Sequence, residues 1–521
     1  MTNPLHDALF APLAGRDSAL VILPAGGTIT GAEFLALVAR QAQALRGQGL
    51  GAGDRIAVQV AKSPEALALY GAAVALGAIY LPLNPAYTAA EVDYFLADAA
   101  PRIFICDGAR AGALAALAAG HGARLLTLNG DGSGSLSDLA RAMPGDVAAT
   151  PRDANDVAAI LYTSGTTGRS KGAMLTQGNL LSNARVLADL WQVTPRDVLL
   201  HALPIFHTHG LFVACNTVLL TGGAMLFQPG FALDAVLAAL PQATVMMGVP
   251  TYYTRLLADA RFGRKAAAGL RLFISGSAPL LAETHLAFEA RSGHRILERY
   301  GMTETGMLTS NPYAGQRRAG TVGLPLPGVG LRIMGETGEV VPGAVGGIEV
   351  RGPNVFAGYW QMPEKTAAEF TADGWFITGD VGVRDADGYL RIVGRQKDLI
   401  ISGGFNVYPK EVELVLDEVP GVLESAVIGV PHPDFGEAVF AVLVARPGFE
   451  LQPEAVLAAI GGQLARFKQP KAAVVLAELP RNTMGKVQKA VLRANYGGWF
   501  AGSAGGPAPR TPRDILAKEN G

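Results

Sequence analysis

The chain holds 521 residues, 50% of them hydrophobic and 17% charged, with a formal net charge of −1. That length is too great for one hydrophobic core, so at least two domains are expected. A near-neutral balance offers no electrostatic footprint for nucleic acid or an anionic membrane, so bound phosphate must be held by local loops.

In chain order, Thr30-Gly-Ala-Glu33 is a capping box that opens a helix with Phe34, Leu35, Val38 and Ala42 on one side. A strand follows over Arg55 to Val60. Ser63-Pro64 then supplies an N-cap and a first-turn proline for a helix that Gly77 ends. Ile79 to Leu83 reads as a second strand, Thr88-Ala-Ala-Glu91 as another capping box, and Arg102 to Cys106 as a third strand. The same alternation recurs at Val157 to Tyr162, Thr244 to Gly248 and Leu270 to Ser275, which predicts an α/β fold of helix-flanked parallel sheets. Ligands on such sheets gather at strand C-terminal ends.

The uncharged run Gly210 to Phe227 is broken by Asn216, Thr217 and Gly222-Gly223. It reads as a buried strand pair with a turn rather than a membrane span. After Ile392 the texture changes: strands at Leu399 to Ser402, Ser425 to Val430 and Ala438 to Ala445 interleave with helices near Pro409 to Asp417 and Pro453 to Phe467. A large N-terminal domain over 1–394, a small α+β C-terminal domain over 395–496 and a disordered Gly/Pro/Ala-rich tail over 497–521 are therefore expected. The only cysteines, Cys106 and Cys215, lie in apolar runs without metal-ligand spacing. They read as buried thiols in a reducing compartment. With no secretory leader at the start and no peroxisomal address in Glu519-Asn520-Gly521, a cytoplasmic protein is expected.

The strand at Val157 runs directly into Thr163-Ser164-Gly165-Thr166-Thr167-Gly168-Arg169-Ser170-Lys171-Gly172. Three glycines, five hydroxyls and two cations in ten residues suit a loop that wraps polyphosphate with N–H groups and hydroxyls. It is not a P-loop, because Arg169 and Ser170 separate Gly168 from Lys171.

This loop resembles the signature of the adenylate-forming superfamily, which includes acyl-CoA synthetases. The resemblance continues in family order through Tyr300-Gly-Met-Thr-Glu304, Thr378-Gly-Asp380, Gly394-Arg-Gln-Lys-Asp398 and Pro480-Arg-Asn-Thr-Met-Gly-Lys486. It implies ATP, Mg²⁺ and coenzyme A as reactants or cofactors. Lys486 would bridge the α-phosphate and the substrate carboxylate, Glu304 would hold Mg²⁺ with help from Thr167, and Thr303 would touch the α-phosphate. Thr163 to Gly168 and Lys171 would line the phosphates. Ser275, Gly276, Ser277 and Ala278, with Glu298, Tyr300, Gly301 and Met302, would form the adenine wall. Asp380, assisted by Arg395, would accept the ribose hydroxyls. Lys397 corresponds to the hinge about which the small domain moves between the two half-reactions, and Gly403-Gly404 to the pantetheine passage. Lys486 also corresponds to an acetylation site of related ligases, where the charge would be lost.

Three basic side chains fall in segments that form the acyl pocket: His207, Arg255 and Arg299. Such a pocket for a fatty or aromatic acid should be apolar, because an unpaired buried guanidinium costs several kcal/mol. A substrate with a second carboxylate would pair with the arginines. The pattern is similar to malonyl-CoA synthetases, which implies malonate, with methylmalonate tolerated; His207 corresponds to the gate of the acyl passage. The rival readings are a ligase for another small carboxylate, an adenylation enzyme that delivers to a carrier protein, and a binding protein without catalysis. No carrier module follows the small domain, and Lys486, Glu304 and Asp380 are all present.

Overall fold

The computed structural model describes residues 2–163, 170–336, 338–402, 405–482 and 485–500. It has the expected mixed α/β architecture, a large N-terminal part and a smaller C-terminal one. The described residues of Met1–Leu331, Glu349–Ile377 and Gly388–Leu390 form one compact unit. Those of Arg332–Ile348, Thr378–Asp387 and Arg391–Gly521 form the other. The second unit thus takes in two stretches that precede the linear boundary expected at residue 394. Hydrogen bonds account for it: Thr378 Oγ1 donates to Ile348 O at 2.8 Å, and Gly343 N donates to Arg384 O at 2.8 Å.

In the first unit a nine-stranded sheet runs in the order Leu324–Pro325, Gly306–Ser310, Leu297–Met302, Leu272–Ser275, Val245–Gly248, Val198–His201, Ala224–Phe227, Ala19–Ile22, Thr28–Thr30. Its middle is parallel. A seven-stranded sheet contains the parallel set Ile79–Pro82, Arg55–Gln59, Ile103–Cys106 and Arg124–Thr127, with Val157–Thr163 parallel to Ile79–Pro82 and Lys171–Thr176 returning antiparallel to it. Both capping boxes form as read, at Thr30/Glu33 and Thr88/Glu91, and Ser63 caps the helix Pro64–Leu76, which Gly77 ends at φ 66°. Aromatic packing closes the core: Phe288 meets Tyr253 edge-on at 5.3 Å and Phe273 at 4.9 Å.

The strand pair read over Gly210 to Phe227 is corrected. The chain forms a π-helix at His209–Cys215, an α-helix at Asn216–Thr221 and a single strand at Ala224–Phe227. An unbroken apolar run does not distinguish buried helix from buried strand, and Gly222 at φ 74° supplies the left-handed helix end. Among the described residues no helix is long and apolar enough to cross a membrane.

In the second unit, Val422–His432 and Gly436–Ala445 form a long hairpin, joined by Ile400–Ser402, Phe405–Val407 and Ala472–Leu476. The helix read as Pro453 to Phe467 stops at Ala459, ahead of Gly461-Gly462, whose cost in a helix interior opposes continuation. The first residues of the segment expected to be disordered are packed: Trp499 lies 5.0 Å from the ring of Phe440, and Phe500 lies 4.9 Å from His432.

Thr30 Oγ1 accepts from Glu33 N, and Thr30 N donates to Glu33 Oε2 in return. Thr30→Ala should therefore lower the stability of the first unit by about 1 kcal/mol, read by urea denaturation, with little change in activity.

Candidate functional site

The parallel strands of the nine-stranded sheet end side by side. Ser275 is in register with Gly248 on one side and Glu298 on the other, and His201 is in register with Met247 and Phe227. Gly276-Ser277-Ala278 leave one of these ends and His207-Thr208-His209 follow another, while Arg299-Tyr300 continue within the strand Leu297–Met302.

Arg299 is 3% exposed, and its Nε and Nη2 have no hydrogen-bond partner. Burial pushes its pKa down to about 9, with Tyr253 the charged-form neighbour that opposes the shift. Gly276 lies directly against the guanidinium: a Cβ there would fall 2.3 Å from Arg299 Cζ. A side chain at this position would have to displace the Arg299 guanidinium, a link that sequence reading did not supply. His209 sits in the same buried cluster, 1% exposed, with Nδ1 3.2 Å from Ser277 Oγ and Nε2 without a partner. Burial, and then the charge of Arg299, push its pKa well below the usual histidine value, so the imidazole is neutral. Ser277 holds the left-handed region at φ 71°, a conformation that costs a non-glycine residue energy and recurs at ligand sites. His209 was not singled out from the sequence; its spacing two residues after His207 was the available signal.

His207 is half-buried, and its Nδ1 accepts from His209 N at 3.4 Å. The loop is pinned from behind by Lys62, whose Nζ lies 2.7 Å from His201 Nδ1 and 2.8 Å from His201 O. His201 Nε2 then meets Gly210 O at 2.8 Å, which makes Nε2 the protonated nitrogen and Nδ1 the acceptor. Burial lowers the Lys62 pKa to about 7. Cys215, 3.3 Å from His201 Nε2, and Cys106 are buried thiols pushed up to about 12 and about 11, as expected for packing rather than nucleophilic cysteines.

The expectation that Arg255 lines the pocket beside Arg299 needs correction. Its residue is exposed on the helix Pro250–Ala258, and its guanidinium lies 5.9 Å from the ring centroid of Phe231. The helix turns Tyr253 and Leu256 into the core, which directs position 255 outward. Glu298, read as part of the nucleotide wall, is committed elsewhere: its buried carboxylate meets His285 Nδ1 at 3.1 Å. Tyr300, Gly301 and Met302 continue this strand and Thr303 begins the turn after it, all as half-buried positions. Gly301 has no room for a side chain, since a Cβ would lie 2.0 Å from Gly306 O.

A second cluster surrounds Glu304, which is 5% exposed. Thr163 Oγ1 and Tyr359 OH both donate to Glu304 Oε1 at 3.2 Å. Burial raises the Glu304 pKa, so the carboxylate is one that a cation would stabilise. A single hard oxygen ligand of this kind fits Mg²⁺, which takes one or two carboxylates and completes its shell with phosphate and water. Among the described residues there is no group of three or more acidic, histidine or cysteine ligands that could hold a metal without such help. Tyr359 OH also lies 2.5 Å from Glu369 Oε2, so its single proton is shared between the Glu304 and Glu369 carboxylates. Lys171 pairs with Glu369 Oε1 at 2.9 Å and lies 4.1 Å from the Tyr359 ring centroid. Lys171, expected at the phosphates, is thus held by a carboxylate in this structure. Tyr359 and Glu369, distant from the motif in sequence, were missed.

In the second unit Asp380 is 4% exposed and meets Arg395 Nε at 2.9 Å, so these two expected partners are brought together. Lys397 lies in the 3₁₀ turn Gln396–Asp398, and Asp398 binds Arg493 at 2.6 Å. Lys486 N donates to Asn482 Oδ1 at 3.0 Å. Ser164, Gly165, Thr166, Thr167, Gly168, Gly403 and Gly404 lie outside the described residues.

The family described as AMP-binding enzyme matches residues 13–360, and its C-terminal domain matches residues 411–486. Among solved structures, ATP-bound MatB from Rhodopseudomonas palustris superposes with a TM-score of 0.94 at 55% identity, over 96% of this chain and 100% of that one. A feruloyl-CoA synthase from an Amycolatopsis species is 40% identical over 91% of this chain and 95% of its own length. A malonate–CoA ligase from Arabidopsis thaliana is 35% identical over 85% of this chain and 78% of its own.

Because Lys171 pairs with Glu369 in the second cluster, where Lys365 also reaches Glu369 Oε1 at 2.9 Å, Lys171→Met should cost about 1.5 kcal/mol, the lower end of the range for a hydrogen bond to a charged group. The measurement is thermal or urea unfolding, and an unchanged midpoint would contradict the assignment.

Proposed function

Because this chain belongs to the AMP-binding enzyme family, as an acid–thiol ligase that uses ATP and coenzyme A, we propose that the acid it activates is malonate, with methylmalonate also accepted. One observation carries the reading: a buried guanidinium at Arg299 with two unpartnered nitrogens and, among the described residues, no carboxylate against it. Isolating such a charge costs several kcal/mol, and a carboxylate arriving with the substrate would recover it. An aromatic acid such as ferulate brings no second anion. The Arabidopsis malonate–CoA ligase among the relatives supports the same choice. A methyl branch changes discrimination by only about 1–3 kcal/mol, which leaves room for methylmalonate.

In the first half-reaction a carboxylate oxygen attacks the α-phosphorus and pyrophosphate leaves. Two anions must meet, so catalysis is placement and charge neutralisation. Lys486 would supply a mobile ammonium between α-phosphate and carboxylate, while Glu304, steadied by Thr163 and Tyr359, would hold the divalent cation. Mg²⁺ so held supplies charge neutralisation at the phosphates. Asp380, with Arg395 at its side, would orient the ribose, and Thr303 and Tyr300 would face the nucleotide. Arg299, next to neutral His209, would fix the distal carboxylate, with Arg255 available outside the buried cluster. His207 would border the acyl passage. In the second half-reaction the coenzyme A thiolate attacks the acyl carbon and AMP leaves, so no enzyme nucleophile is needed. The small domain would turn about Lys397 between the steps. Acetylation of Lys486 would remove its charge and stop adenylation alone. A cytoplasmic location suits such substrates.

The test is AMP release with malonate, methylmalonate, acetate, octanoate and ferulate. Malonate should be used best, and Arg299→Ala should lower kcat/KM for malonate by about 100-fold or more while leaving the KM for ATP within about threefold. Preference for octanoate or ferulate would rule out the dicarboxylate reading.

A further inference from the structure

The segment carrying Lys486 is a short loop closed on itself. Asn482 N donates to Lys486 O at 2.9 Å, Gly485 N donates to Asn482 O at 2.9 Å, and Gln488 N donates to Pro480 O at 2.8 Å. Gly485 takes φ 73°, which suits glycine. These bonds shape the loop, and Leu479 before it and Val487 after Lys486 pack into the apolar cluster of the hairpin.

Two ion pairs also hold it. At its start, Arg481 Nη2 bonds Glu424 Oε2 and Nη1 donates to Gly485 O at 2.6 Å, so one guanidinium spans the loop and a strand residue of the hairpin. At its end, Lys489 Nζ meets Glu413 Oε1 at 2.6 Å. Glu413 lies on the helix Pro409–Asp417, its side chain is 8% exposed, and the same oxygen accepts from Val427 N at 3.0 Å. Despite the opposing cost of burial, Lys489 and then Lys410 hold the Glu413 carboxyl below the usual range, so it is ionised. The two carboxylates come from different elements and grip the loop five and three residues away from Lys486.

We propose that Glu413 and Glu424 are positioning residues for Lys486: by anchoring the two ends of its loop they fix where the ammonium can reach, and the adenylation step depends on them. This rests on the reading above that Lys486 serves adenylation and not thioester formation. A misplacement of about 1 Å at a reacting group can cost about 100-fold in rate, and each ion pair restrains one end of the loop that carries the ammonium.

The experiment separates the half-reactions in the full chain. Acid-dependent ATP–pyrophosphate exchange reads adenylation, and coenzyme A-dependent consumption of the preformed acyl-adenylate reads thioester formation. Glu413→Gln should slow exchange at least tenfold, mainly in kcat, and leave adenylate consumption within about twofold. Glu424→Gln, a partly exposed position that spares the core, should give the same asymmetry. Glu411→Gln, on the same helix but paired with Lys468 at 2.5 Å, should change neither. Equal losses in both half-reactions, or none in exchange, would overturn the proposal. The exchange is run with whichever acid the unmodified chain adenylates fastest. A failure of the malonate reading would then show in the unmodified chain and leave this test intact.

Discussion

A buried positive charge without a counter-charge among the described residues is the constraint on which the proposed acid pocket rests. Arg299 is enclosed by Tyr253, His209 and the backbone at Gly276, none of which can carry a compensating negative charge at neutral pH. A folded protein tolerates this arrangement only at a cost of several kcal/mol, and such costs concentrate where a ligand relieves them. The neighbouring features follow from it. Gly276 has no side chain because the guanidinium occupies its place, and His209 stays neutral because a second buried cation beside Arg299 would raise the cost further.

The opposite sign governs the cluster around Glu304. There a buried carboxylate receives two hydroxyl donors, and its cation partner among the protein groups, Lys171, is engaged by Glu369. The protein thus steadies the carboxylate without neutralising it, as a site must if a divalent ion is to bind with the nucleotide. One cluster is poised for an anion and the other for a cation. Both lie at the strand ends of one unit, where α/β sheets place their ligands.

Much of the fold was legible because its signals are local. The capping boxes at Thr30 and Thr88, the proline after Ser63 and the glycine at 77 each fix a helix end through bonds spanning three or four residues. Arg299 was recognisable as out of place in an acyl pocket, and Glu304 through its motif. The side chains that support them were not legible. Tyr359 lies 55 residues from Glu304, and Glu369 lies 198 from Lys171. Contacts at such separations are set by how sheets pack, which a single sequence does not display. Arg255 failed for a local reason that was available: the core-facing positions of its helix are Tyr253 and Leu256, which turn 255 outward. The run after Gly210 failed because apolar continuity suits helix and strand alike.

The account stands on the charge of the substrate's distal group rather than on its size. Malonate and its half-amide, malonamate, have nearly the same shape and differ in that charge, so the ratio of their kcat/KM values isolates the interaction with Arg299. A charge-assisted pair is worth about 1.5–3 kcal/mol, so malonate should be favoured by roughly 10- to 100-fold, and the preference should collapse in Arg299→Ala. Equal use of the two acids by the unmodified protein would contradict it.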